Sequence, residues 1–233
     1  MADQKITALT ANTDPQSGDL ILVVDDPSGS AEDKKITIGE FMATRNLYAT
    51  YTPPAIGDFA WVNQGIATAT SGSWGINIVS ILLAGDNFRI LKKSSPATPY
   101  SIVICMIPRL HEYNTQSAGV CFRESSSGSF VFFGVETANN ITQITATKWT
   151  DVTTISADYK KQNIVSNMGR IFLKIEDDGT DRVCSWGRDG VNFLEFHSVG
   201  RTDFITADEV GMAINVDHGG FGCSATYTSW TEA

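Results

Sequence analysis

Cleavage of a glycosidic bond needs two carboxyl groups facing one another about 5–10 Å apart. The acids of this chain do not spell such a pair: there is no ExDxxE string, and Glu112, Glu124 and Glu136 each stand alone in the sequence. On that ground the chain is read as having no enzymatic activity. The stretch "EDDGTD" (176–181) gathers acids around Gly179. Hard cations want several oxygen ligands, but the DxDxDG spacing is missing and strand-like runs flank the cluster, so a tight hairpin turn is expected there. His111, His197 and His218 show neither HxxxH nor HxH spacing, and no GxSxG, phosphate-loop or dinucleotide fingerprint is present. No metal and no cofactor are expected.

Aromatic side chains are the remaining ligand feature. Trp61, Trp74, Trp149, Trp186 and Trp230, with Tyr100, Tyr113 and Tyr159, offer flat faces on which a sugar can stack. The competing use of each is the core, since most lie in strand-like runs. Tyr113, in the loop "LHEYNTQS", and Trp186, beside the "RDG" turn, are the candidates for exposure. Together with Asp189, Asp217 and His218 they form the candidate ligand-binding set.

The net charge is -9, from 17 basic and 26 acidic residues. Such a chain will not track phosphate backbones, because binding there depends on lysine and arginine displacing counterions. Anionic membrane surfaces are disfavoured for the same reason, and no apolar run approaches the ~20 residues of a membrane helix. A neutral ligand such as a glycan, or a protein particle, fits better. The polar start "MADQKITALTANTD" carries no secretory apolar region, so synthesis and assembly in the cytoplasm are expected. Cys105, Cys121, Cys184 and Cys223 each sit in an apolar run and none is in CxxC spacing. They read as buried free thiols, with a Cys105–Cys121 bridge between neighbouring strands as the alternative.

The elements that would position these groups are strands almost without interruption. From "FAWVN" (59–63) to "SATYTSW" (224–230), roughly 14 short strand-like runs are separated by turn signals such as "SSSG", "DDGTD", "RDGVN" and "DHGG". Hydrophobic residues are 42% of the chain and charged ones only 18%, which suits sheet packed on sheet. The pattern predicts an all-β fold, an antiparallel β-sandwich or jelly roll. "FVFF" and "RIFLKI" are apolar on both faces, as in strands whose outer face is also covered.

The first 52 residues read differently. "LILVV" (20–24), the turn "PSGSAED" and "KKITI" (34–38) describe a β-hairpin, and "GEFMATRNL" a short helix. A two-stranded hairpin is marginal in water, so its apolar residues must be covered by the rest of the chain, a second copy or another protein. Pro53-Pro54 marks a joint, giving a module over 1–52 and a sandwich over 53–233. The candidate attachment and oligomerisation residues are Leu20, Leu22, Val24, Asp25, Asp26, Lys34, Lys35, Ile36, Ile38 and Phe41. For the charged members, the alternative is a solvated hairpin end contributing only ~0.2–1 kcal/mol.

Two resemblances follow from these residues. "KITALTANTDP" leading into "GDLILVVDDPSGSAEDKKITIGEFM" resembles the N-terminal module of tailed-phage fibre and appendage proteins, in which "K(I/V)(S/T)xLp" leads to "DLlPVVDDPsG…tKKITVgdL". The departure is Ile21, where leucine or proline is expected. This resemblance implies a virion structural protein, a head or tail fibre or decoration subunit. It would be assembled as a homotrimer and docked to other virion proteins by its hairpin. Residues 58–230 look like a concanavalin A-like sandwich of the laminin G and glucanase superfold. The cues are "RIFLKIEDDGTDRVCSWGRDGVNFLEF" and "EVGMAINVDHGGFGCSATYTSW", with Asp189-Gly190 and Phe193 at the DG and aromatic positions. Phe193 stands where tryptophan is usual, and Trp186 lies just before Gly187. That fold implies a displayed sandwich open to host-surface glycans. A carbohydrate-active enzyme and a purely architectural cement protein are the alternatives.

Overall fold

Period-two alternation builds most of the molecule. In the stretch Gly75–Ser80, Ile76 and Ile78 are fully buried while Asn77 and Val79 stay half-buried, as a strand with one face on a core requires. The structure, a computed structural model, describes residues 51–81, 85–111, 115–164, 169–216 and 222–233, and the backbone alone of 20–25 and 32–37. The chain divides into two compact units, Met1–Ala49 and Thr50–Ala233.

In the first unit, β1 (Leu20–Asp25) pairs antiparallel with β2 (Glu32–Thr37). The register sets Ile21 opposite Ile36, Leu22 opposite Lys35 and Val24 opposite Asp33. Ile36 is thus paired with Ile21. Asp26, Ile38, Phe41 and the expected helix lie outside the described residues, as do the side chains of the other hairpin candidates.

Among the described residues of the second unit, a short 3-10 turn at Ile56–Asp58 precedes fourteen strands. These are β3 (Ala60–Val62), β4 (Thr68–Gly72), β5 (Gly75–Ser80), β6 (Phe88–Ser94), β7 (Tyr100–Arg109), β8 (Gln116–Arg123) and β9 (Phe130–Ala138). β10 (Ile141–Asp151), β11 (Thr154–Asn163), β12 (Ile171–Asp177), β13 (Asp181–Gly187), β14 (Leu194–Gly200), β15 (Glu209–Val216) and β16 (Cys223–Glu232) complete them. They form two seven-stranded antiparallel sheets: sheet I in the order β11-β10-β9-β8-β15-β6-β3, and sheet II in the order β14-β13-β12-β7-β16-β5-β4. The expected all-β sandwich is what the chain adopts. Among the described residues no helix is long and apolar enough to cross a membrane. β7 runs further than the apolar pattern suggests, through Pro108. Proline is tolerated there because β12 ends its pairing at Met106, so no neighbour on that side seeks the missing N–H.

The sheets share one apolar layer. Ile102, Ile104 and Met106 of sheet II meet Val120, Phe133 and Met212 of sheet I, all fully buried. Each such side chain stabilises the fold by about 1.5–3 kcal/mol. Tyr227 bolts the layer. Its ring belongs to sheet II, and its hydroxyl donates between Gly119 O (2.8 Å) and Ala213 O (3.0 Å) on sheet I.

Sheet I is also covered outside. β8 and β15 are buried along nearly their whole length. A second cluster, Phe88, Ile90, Cys121, Phe130, Phe132 and Trp149, fills the face away from the main core. The Phe88 ring lies 5.1, 5.0 and 4.8 Å from those of Phe130, Phe132 and Trp149. The sheet curls to make this contact: Phe88 N donates to Val152 O at 2.8 Å, although three strands separate β6 from β10. This explains the two-faced apolar "FVFF". In "RIFLKI" the outward residue, Phe172, is instead covered by the Tyr51 ring at 6.0 Å.

The edge strands β11 and β14 are clasped by polar groups. Tyr159 donates to Asp203, which also takes Lys148 Nζ at 2.9 Å, and Lys160 Nζ donates to Phe196 O at 2.8 Å. Arg182 is buried beside them, donating to Asp203 O with its guanidinium 5.5 Å from the Phe122 ring. The four cysteines are free and buried. Cys105 lies in sheet II and Cys121 in sheet I, not on neighbouring strands. Burial pushes the Cys121, Cys184 and Cys223 thiols up to about 12.

Candidate functional site

The β13–β14 turn carries the two members of the candidate ligand set that are described. Asp189 Oδ1 accepts from the backbone N–H groups of Val191 (2.9 Å) and Asn192 (2.8 Å), and Oδ2 accepts from the Asn192 side chain at 2.7 Å. The Asn192 amide and these backbone bonds hold its carboxyl down at about 2. Gly187 lets the turn close, since a Cβ there would lie 2.3 Å from Asn192 O. Asp189 therefore shapes the loop that presents its neighbours.

Those neighbours form an open groove of about 350 Å³, lined by Trp186, Gly187, Arg188, Asn192, Phe193 and Leu194. Trp186 and Phe193 are half-buried and Leu194 is 61% exposed. Lys174 Nζ sits 5.9 Å from the centre of the Phe193 ring. Two aromatic side chains beside an amide and a guanidinium match what a sugar ring asks for: an apolar face to stack on and polar groups at its rim. Arg188, Asn192 and Leu194 were not among the sequence candidates; the exposed loop after a strand-ending tryptophan was the available signal. Tyr113, Asp217 and His218 lie outside the described residues.

The other aromatics divide between core and surface. Trp149, Trp230 and Tyr100 are buried, Trp61 and Tyr159 are half-buried, and Trp74 is 47% exposed. The "EDDGTD" acids serve their turn. Asp178 Oδ1 accepts from Thr180 N and Asp181 N, both at 2.7 Å, and both Asp177 oxygens accept from Arg201 Nε at 2.9 and 2.8 Å.

One acid is less isolated than its sequence context suggests. Glu136, on sheet I, accepts from Gln143 at 2.5 Å and pairs with Lys161 Nζ at 3.1 Å, and the same nitrogen reaches Asp158 at 3.4 Å. The β10–β11 register, shifted by bulges, brings Asp158 and Lys161 to this place. Two carboxylates thus share one lysine.

No family model matches the chain, and no curated protein matches it. Solved structures do. A functionally unknown protein from Saccharomyces cerevisiae aligns at TM-score 0.58 and 11% identity, over 77% of this chain and 98% of that one. A legume lectin-like domain from Entamoeba histolytica aligns at 0.51 and 9%, over 76% and 90%. The GH43 protein BlXynB from Bacillus licheniformis aligns at 0.51 and 13%, over 67% of this chain but only 32% of that one. The exclusion of an enzyme, drawn from the missing ExDxxE string, is overturned. The same sandwich occurs within a GH43 chain, and Glu136 has a second carboxylate near it that no single-strand string could reveal. What the chain shares with these proteins is the fold, an antiparallel β-sandwich.

Proposed function

We propose that the chain is a glycan-binding virion protein of a tailed phage, a fibre or decoration subunit. On this reading the β1–β2 hairpin docks it to the particle as a homotrimer, and the sandwich takes host-surface glycans in the Trp186 groove. The observation that carries the glycan reading is the groove itself: Trp186 and Phe193 beside Asn192 and Arg188, on a fold shared with a lectin-like domain. The virion reading rests on the "VVDDPSG…KKITIGEF" leader and on a hairpin whose apolar residues another chain would cover.

A glycan array with the full chain tests the binding. Binding that disappears in Trp186→Ala, with the melting temperature kept, supports the groove; silence of the intact wild type removes it. Deletion of residues 1–50 should abolish attachment to particles and leave the sandwich folded. A monomeric mass in solution for a chain that still docks would remove the trimer.

A second reading, glycoside hydrolysis, draws on Glu136 and Asp158 around Lys161, since cleavage uses two nearby carboxyls. Release of reducing ends from polysaccharide, lost in Glu136→Gln and in Asp158→Asn, would establish it.

A further inference from the structure

Three depressions on this sandwich share walls. The Trp186 groove adjoins a crevice of about 20 Å³, room for about one water, through Trp186 and Arg188. That crevice in turn shares Arg170 with an open groove of about 270 Å³ lined by Tyr51, Pro53, Ser73, Trp74, Arg170 and Thr228. The path therefore runs from one pair of aromatics, Trp186 and Phe193, past two guanidiniums, to a second pair, Tyr51 and Trp74.

The second pair is held in place and open to solvent. Trp74 is 47% and Tyr51 37% exposed. Trp74 rides the tip of the β4–β5 hairpin, where Gly72 pairs with Gly75. Gly75 has a φ of +114°, and a Cβ there would meet Tyr227 O at 2.0 Å, so the turn is tight and its position is set by β16. Next to Tyr51, Thr52 is pinned to β16 by hydrogen bonds to Ser229 Oγ (3.0 Å) and from Trp230 N (2.8 Å). Arg170 Nη1 donates to the Tyr51 hydroxyl at 2.7 Å, with its guanidinium 5.2 Å from the ring centre.

The path carries positive charge in a chain of net -9. Among the described residues of the sandwich, Lys92, Lys93, Arg123, Lys148, Lys161, Lys174 and Arg201 each touch a carboxylate. Arg89, Lys160 and Arg182 donate to backbone carbonyls instead, and Arg109 has no carboxylate partner. Among the described residues neither Arg170 nor Arg188 has such a partner. Guanidiniums left without an acid, between exposed aromatic rings, fit a ligand that brings carboxylates of its own.

We infer that the two grooves are subsites of one track for an acidic oligosaccharide, its sugar faces on Trp186 and Trp74 and its carboxylates on Arg188 and Arg170. This rests on the glycan-binding reading and adds to it a ligand class and a second contact region.

The test is titration of the full chain with mono-, di- and tetragalacturonate, neutral xylotetraose and polyglutamate. Affinity should rise with the length of the acidic sugar and fall with added salt. Trp74→Ala combined with Arg170→Gln should lower tetragalacturonate affinity at least about tenfold, the size of one good polar or stacking contact, with the melting temperature unchanged. If Trp186→Ala abolishes sugar binding while Trp74→Ala and Arg170→Gln leave it intact, the track is refuted and the single groove stands. If xylotetraose binds as tightly as tetragalacturonate, or polyglutamate does, the acidic-sugar assignment falls. If no galacturonate binds the folded wild type, the track falls, and the glycan array decides the glycan reading separately.

Discussion

The outer faces of the two sheets use the same residue types for opposite ends. Outside sheet I, Phe88, Phe130, Phe132 and Trp149 are buried, because the sheet curls until the β10–β11 turn bonds to β6. Outside sheet II, Trp74 and Tyr51 stand open beside Arg170. The difference lies in what folds across each face, not in the rings. An aromatic residue on this fold stays open to solvent only where no strand or turn closes over it.

Substitutions can break that contrast. The largest effect is expected for Phe132→Ala. It should destabilise the fold by about 3–5 kcal/mol, the usual cost of a large-to-small change in a packed site, measured by chemical denaturation. A loss under about 1 kcal/mol would mean that the outer cluster of sheet I is a surface. Tyr227→Phe comes next. It removes the hydroxyl that links Gly119 O and Ala213 O across the layer, and about 1–2 kcal/mol should be lost.

The clasped edge sharpens the comparison through pH. Burial first, then the positive charge of Lys160, lowers the affinity of His197 for a proton; Asp203 opposes and Lys148 and Arg182 assist. The unfolded chain then binds the proton more readily than the folded one. Stability is full above the ordinary histidine value of ~6.5 and declines as the pH falls through it toward the lower folded value. Melting temperatures from pH 8 to 5 should show this slope, and His197→Gln should flatten it. Trp74→Ala should have the smallest effect on stability, within about 0.5 kcal/mol, while binding suffers. A large loss of stability there would place Trp74 with the core.

Much of the sandwich could be read from alternation and turn residues. All fourteen strand-like runs correspond to strands, and "EDDGTD" closes a turn with its own carboxylates. The candidate site was only partly readable. Trp186 was found because it borders an "RDG" turn, and Asp189 lies in that turn, where it bonds its own loop. Nothing local in the sequence connects Arg170 with Trp74, which lie far apart in the chain. Glu136 stands alone in the sequence, since Asp158 reaches it only through a bulged register between β10 and β11.

Side-chain alternation is a property of each strand by itself, so the sequence alone determined the strands, their turns and the two-faced burial of "FVFF". Strand order and sheet curl depend on pairings between distant segments. Only the tertiary structure decided which aromatics are covered, which acids meet, and that two guanidiniums lie along one surface path.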